Sequence, residues 1–239
     1  MFIKVSIGYT KTMKRIQPLQ KGYLLLWCFF LYRLFQPSVA MAHPHMALEA
    51  RLDFVFEGKQ CVGVWMDWTF DSMFSVAIIG EYDTNRDGRF DERENSRVFQ
   101  GAFSNLKNYG YFIYIRKGDV RSNPKGVEQF QALQRQGRLA YRFFVPLSSL
   151  DLETDFSISV FDSTFYCAVQ YAEGGIRCID KAGNGLPPAP EGPSPQRAVN
   201  KKYPIYYNPR GAANDFRVYQ KWEKGLETAY PEEITIRWE

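Results

Sequence analysis

The sequence predicts an α+β fold: a single β-rich antiparallel domain interrupted by one helix–loop–helix insert. Three observations carry this. Residues 46–57 and 60–70 alternate apolar and polar side chains around a Glu57-Gly58-Lys59 turn, as a half-buried hairpin requires. Residues 71–106 change to helical spacing on both sides of an acidic, glycine-containing stretch. Alternating or β-branched and aromatic runs then return at 109–117, 138–146, 155–162 and 233–239, and these residue types suit a pleated, half-buried surface.

The chain opens with Lys4, Lys11, Lys14, Arg15 and Lys21, followed by the apolar run Tyr23–Tyr32, Pro37 and the small-residue box Ala40-Met41-Ala42. A basic region, a short apolar run and a small-residue site are the parts of a secretory signal peptide, so residues 1–42 are expected to be removed after Ala42. The apolar run is shorter than the roughly 20 residues a membrane span needs. No later segment reads as a span, and the expected location is periplasmic or secreted. The charge follows the leader. The whole chain carries a formal +4, but residues 1–42 hold six Lys/Arg and no Asp/Glu, which leaves −2 for the remainder. A basic footprint for nucleic acid is therefore not expected. The remaining length is enough for one well-buried domain.

In the first hairpin, Met46, Leu48, Ala50, Leu52, Phe54 and Phe56 share one face, and Val62, Val64, Met66, Trp68 and Phe70 share one face of its partner. The domain is expected to run over 43–180, with the insert at 71–106. Asp71 is placed to cap the first insert helix, and Val98, Phe99, Phe103 and Leu106 form the apolar side of the second, over 92–106. Between 181 and 232 the sequence reads as a proline-rich loop and irregular segment, with five prolines from Pro187 to Pro195. Ile234, Ile236 and Trp238 then form a last strand at 233–239. Export permits disulfides. Cys167 and Cys178 flank Tyr171-Ala-Glu173-Gly174-Gly175, which reads as a hairpin turn, so these two are expected to pair and Cys61 to remain a buried thiol.

The most specific motif is Asp83-Thr-Asn85-Arg-Asp87-Gly88-Arg89-Phe90-Asp91-Glu-Arg-Glu94. It has the spacing of a twelve-residue EF-hand calcium loop. Calcium takes about six to eight oxygen ligands. Asp83, Asn85 and Asp87 stand at positions 1, 3 and 5, the Arg89 carbonyl at 7, Asp91 at 9 and a bidentate Glu94 at 12. Gly88 supplies the turn at position 6. A lone loop, without a paired second one, suits a structural Ca²⁺ site better than a sensor. The bland alternative is an acidic turn that binds nothing.

The only histidines are His43 and His45. Cleavage after Ala42 would give His43 a free amine beside its imidazole, and such nitrogens suit Zn²⁺, Ni²⁺, Co²⁺ or Cu²⁺. Asp67, Asp71 and Asp162 are the candidates to complete such a shell. The alternative is a solvated terminus. With both histidines at the mature end, no Ser-His-Asp or Cys-His arrangement is available for nucleophilic catalysis, and an enzyme is not expected.

His43-Pro44-His45 after a leader, Glu49-Ala50-Arg51-Leu52, Trp68-Thr69-Phe70-Asp71, Asp83–Gly88 and Phe161-Asp162-Ser163-Thr164-Phe165-Tyr166 together resemble an uncharacterised periplasmic family. Its members carry a domain-of-unknown-function label and are also described as periplasmic components of an ABC-type transport system. The resemblance spans Ala42 to Asp180. Asn85 and Arg86 depart from the family's acidic loop, and Ser163 stands where proline is common. Arg86 lowers the negative charge of the loop. The resemblance implies export, a setting of zinc, nickel or cobalt transport and an inner-membrane transporter as partner, and it attaches no catalytic activity. Two expectations follow: an accessory binding protein of transition-metal transport with a structural calcium loop, or a calcium-stabilised interaction module with no transition-metal role.

Overall fold

The computed structural model describes residues 44–211 and 217–238. The predicted leader and His43 lie outside the described residues. Strands β1 (Met46–Glu57) and β2 (Gln60–Phe70) form the expected antiparallel hairpin. Helix α1 (Ser72–Tyr82) and helix α2 (Glu92–Val98) follow, then a π-helical turn (Phe99–Phe103) and a 3₁₀ segment (Ser104–Phe112). The chain continues as β3 (Ile113–Lys117), β4 (Val120–Ser122), β5 (Glu128–Arg135), β6 (Arg138–Pro146), β7 (Phe156–Val160), β8 (Cys167–Asp180), β9 (Ser194–Val199), β10 (Ile205–Tyr207), β11 (Glu227–Ala229) and β12 (Glu232–Arg237).

These strands make two five-stranded sheets, ordered β5-β6-β2-β1-β8 and β4-β3-β7-β12-β9, and a small β10-β11 pair. The alternation read from β1 is the reason the sheets meet. Leu48, Ala50, Leu52, Phe54 and Phe56 are all buried, and the second sheet supplies the opposing side chains. The Phe54 ring lies 6.1 Å from Phe156 of β7, and Phe56 lies 5.6 Å from Trp238 just after β12. Among the described residues no helix is long and apolar enough to cross a membrane.

Several expectations give way to the structure. Residues 167–180 are one strand, not a hairpin, and β8 runs parallel to β1, so the first sheet is mixed. Cys167 stands opposite Met46 and Cys178 opposite Phe54, eight residues apart on β1, or roughly 26 Å at ~3.3 Å per residue. A disulfide needs Cα atoms within about 7 Å. Both cysteines are accordingly free and buried, as is Cys61. The Gly174-Gly175 signal produces a bulge instead of a turn: Ala50 pairs with Tyr171 and Leu52 with Ile176, so the residues between bow out of the ladder. At Gly175 a Cβ would meet the Cβ of Ala172 at 2.9 Å and the Cγ of Arg51 at 3.0 Å, which only glycine avoids.

The second insert helix ends at Val98, not 106, because the π-helical turn brings both Phe99 and Phe103 onto Phe130 of β5, at 5.3 and 4.4 Å. Strand β3 starts at Ile113, not Tyr109, because Gly110, Tyr111 and Phe112 have φ of 61°, 54° and 58°, a left-handed wind that no strand sustains. Within the segment read as irregular, β9 pairs with β12 along its whole length. Its Pro195 stands on an edge strand, where a missing N–H is tolerated.

Candidate functional site

Asp71 caps α1 as its position predicts: one carboxylate oxygen accepts from Phe74 N at 2.9 Å, and the other from Ala47 N of β1 at 2.7 Å. Burial pushes the Asp71 carboxyl up, but these backbone donors outweigh it and leave the group below its ordinary range. Helix α1 thereby hands the chain to the 83–94 loop from a fixed point on the first sheet.

The loop is wound by its own side chains. Asp83 Oδ2 accepts from Gly88 N (3.1 Å), Asn85 Oδ1 from Asp87 N (3.0 Å) and Asp87 Oδ1 from Arg89 N (2.9 Å). Arg86 and Gly88 take φ of 58° and 78°, and these two left-handed residues turn the chain around the side chains at positions 1, 3 and 5. Glu94 closes the ring. Its Oε1 accepts from Thr84 N and Oγ1, both at 2.7 Å, and its Oε2 accepts from Asp91 N at 3.2 Å. Asp91 Oδ1 accepts from Glu94 N at 2.8 Å, which completes a capping box on α2. The Thr84 hydroxyl bond, ahead of burial, sets the Glu94 carboxyl, which lies below its ordinary range.

Asp83 is the exception among these groups. It is buried, with 6 % exposure, and its Oδ1 has no hydrogen-bond partner. Its Oδ2 accepts a second bond, from Gln134 Nε2 of β5 at 2.7 Å. Asn95 of α2 makes a parallel link, accepting from Ala132 N at 2.6 Å. The loop and its helix are thus tied to the edge strand β5. Thr84 and Gln134 were not foreseen as partners of the acidic residues. Thr84 has no signal beyond adjacency, and Gln134 depends on a strand register that spacing alone does not give. Among the described residues, no three His, Cys, Asp or Glu side chains are gathered as a metal cage. Asp91 and Glu94 are engaged with backbone and hydroxyl donors instead.

Of the residues named for a transition metal, His43 lies outside the described residues. His45 N donates to Tyr166 O at 2.8 Å, and its ring lies 4.9 Å from the Tyr166 ring. Asp67 is held by Arg135 at 2.6 Å and Arg142 at 3.6 Å. Asp162 accepts from Thr164 N and Oγ1 and from Cys167 N, so it builds the turn between β7 and β8.

A second feature lies where several sequence motifs converge. A cavity of about 270 Å³ is walled by Trp68 and Phe70 of β2, by Asp162, Thr164 and Tyr166 of that turn, and by Tyr141 of β6. Trp68 and Tyr141 stand opposite each other in the β2–β6 ladder. Tyr141 was not anticipated here; only its strand, 138–146, was.

A mixed β-sandwich carrying a helical pair with an acidic loop is the class of protein this architecture defines. Residues 28–238 match the model of the family described as "Protein of unknown function (DUF1007)", and the chain belongs to that family. It is 33 % identical over 99 residues to an uncharacterised 15.5 kDa protein from the trpE 3′ region of Spirochaeta aurantia, covering 41 % of this chain and 71 % of the relative. It is 28 % identical over 149 residues to an uncharacterised protein of Haemophilus influenzae, covering 59 % of this chain and 69 % of that protein. No solved structure matches.

Proposed function

We propose that this chain is an exported accessory or binding protein of transition-metal transport, in which the 83–94 loop holds one structural calcium ion. The observation that carries the calcium reading is the buried, unpartnered Oδ1 of Asp83 at position 1 of the loop. A buried charged oxygen without a partner is costly, and such exceptions call for a ligand or ion. A hard dication supplies the missing partner. Asn85, Asp87, the Arg89 carbonyl, Asp91 and Glu94 are the remaining oxygens at ligand positions, and the ion competes with Thr84 for Glu94. Bound calcium would act as a clamp, because Asp83 is also bonded to β5 through Gln134. The export and transport parts of the reading come from the leader and from the family resemblance, with Zn²⁺, Ni²⁺ or Co²⁺ as cargo at His43 and His45 and an inner-membrane transporter as partner.

One observation favours a second reading, a calcium-stabilised module without a transition-metal role. Asp67, Asp71 and Asp162, the carboxylates open to a histidine-centred shell, are each committed to arginine or backbone donors. Thermal unfolding of the chain that starts at His43 separates the two readings. At free Ca²⁺ a hundredfold above its Kd, mass action adds about 2.7 kcal/mol to stability. Asp83→Ala and Glu94→Ala should each remove that gain, and an unchanged calcium response in both would overturn the calcium reading. A midpoint raised by Zn²⁺, Ni²⁺ or Co²⁺ in the parent and not in His45→Ala supports metal handling. A calcium response alone supports the module.

A further inference from the structure

The strand arginines settle their charge in two different ways. Arg116, Arg135, Arg177 and Arg197 are each forked onto one carboxylate. The partners are Glu233 at 3.2 and 2.7 Å, Asp67 at 2.6 and 2.8 Å, Asp53 at 2.7 and 2.6 Å, and Glu232 at 3.0 and 2.6 Å. Those hydrogen bonds hold each guanidinium above its ordinary pKa. Arg121 of the edge strand β4 is held by rings instead. Its guanidinium carbon lies 4.4 Å from the Tyr203 ring, 4.6 Å from Tyr114 and 5.2 Å from Phe161. Tyr114 and Phe161 are themselves stacked, 4.0 Å apart and 9° from parallel. Burial lowers the Arg121 pKa, the reverse of the forked four. No described residue accepts a hydrogen bond from Arg121, and its nitrogens are not among the buried polar atoms that lack a partner, so they open to solvent. The nearby acids are already used. Glu233 attracts Arg121 from a distance, but Arg116 takes both its oxygens, and Asp119 is held by Lys202. Arg116 stands directly opposite Arg121 in the β3–β4 ladder, and like charges so placed repel. Arg116, Arg121 and Lys202 against Glu233 and Asp119 leave this corner with one positive charge unbalanced.

We propose that Arg121 marks a binding site for a small monocarboxylate, whose two oxygens take its open N–H groups in the fork that the other four arginines make with Asp and Glu. The planar guanidinium matches carboxylate geometry and also stacks on aromatic faces, so the two contacts are compatible. Packing against Tyr203 and Tyr114 orders the guanidinium before the ligand arrives, and less side-chain freedom is lost on binding. The single unbalanced charge selects a monoanion. A dianion such as sulfate would bring one charge more than this corner can balance, with Glu233 and Asp119 close by. The site lies on the second sheet and rests on neither the calcium nor the transition-metal reading.

The test is titration of the ¹⁵N-labelled full chain with sodium acetate, sulfate or chloride at about pH 6 and fixed ionic strength. The Arg121 Nε–H resonance is followed together with the backbone amide of residue 121, to which it is connected through bonds. Acetate should shift both saturably, while the exposed Arg93 of α2 shows no saturation over the same range. Sulfate and chloride should bind roughly tenfold more weakly than acetate or less tightly still. Arg121→Lys keeps the charge and removes the fork. It should weaken acetate roughly tenfold at the residue-121 amide, the factor that one lost hydrogen bond supplies. The proposal is overturned if acetate does not saturate, if Arg93 saturates alongside Arg121, if sulfate or chloride binds as tightly as acetate, or if Arg121→Lys binds acetate as the parent does. If Arg121→Lys does not fold, the acetate–sulfate ratio on the parent still decides.

Discussion

The acidic loop and the aromatic cavity are built in opposite ways. Every bond that winds the loop joins residues at most ten positions apart, and Gln134 and Asn95 then fasten it to β5. The cavity takes Met46 from β1, Trp68 from β2, Tyr141 from β6 and Asp162 from the β7–β8 turn, residues far apart in sequence. The loop is held by hydrogen bonds and the cavity wall by ring packing. Substitutions should therefore act on them by different mechanisms and with different sizes.

The largest effect is expected at Phe103, which is fully buried and lies within 5.9 Å of the rings of Phe99, Phe130, Tyr111, Tyr141 and Phe143. Phe103→Ala should destabilise the protein by about 3–5 kcal/mol, the usual cost of emptying a packed aromatic site. Urea unfolding gives the number. A loss below about 1 kcal/mol would mean that the site collapses freely, and that the cavity beside Tyr141 is not held by close packing.

This contrast also explains what could be read in advance. Period-two alternation placed β1 and β2 at their observed bounds, because each buries one face and the pattern is local. That 83–94 forms a tight turn was legible for the same reason, since the bonds that wind it lie within the segment. The 167–180 segment was misread because Gly174-Gly175 signals conformational freedom, and freedom serves a bulge as well as a hairpin turn. The choice was made by pairing with β1, more than 110 residues away in sequence, which no local pattern contains. The cavity was out of reach for that reason too. Trp68 was assigned to a shared apolar face, but its place opposite Tyr141 depends on the β2–β6 register.

A middling effect is expected at the joint between the two kinds of structure. Asn95 accepts from Ala132 N at 2.6 Å and donates to Phe130 O at 3.4 Å, so one side chain attaches α2 to the edge strand β5. Asn95→Ala leaves a partly buried backbone N–H without its acceptor, a loss of about 1–3 kcal/mol. Hydrogen exchange should show the loss concentrated at the amide of Ala132 and in α2, with β1 and β2 unaffected. Equal loosening across both sheets would mean that the loop and the core unfold as one unit and that the contrast drawn above has no energetic counterpart.

The smallest effect is confined to acid and tests the loop alone. Glu94 is held below its ordinary pKa, chiefly by the Thr84 hydroxyl, with the N–H groups of Thr84 and Asp91 adding to it. Its position in the first turn of α2 also favours negative charge. A carboxyl depressed in the folded state binds fewer protons there than in the unfolded chain. Its contribution is therefore complete above the unfolded value of about 4.3, and it fades as pH falls through the lower folded value. Glu94→Gln cannot titrate. Without calcium, the variant should be less stable than the parent at pH 6, by an amount that stays constant down to about pH 5 and shrinks below about 4. Parallel unfolding curves from pH 6 to 3 would mean that Glu94 does not gain from its charge in the folded loop. The ring closed through Thr84 would then be a neutral hydrogen-bonded turn, and Asp83, Asp87 and Asp91 would be the carboxylates left to anchor an ion.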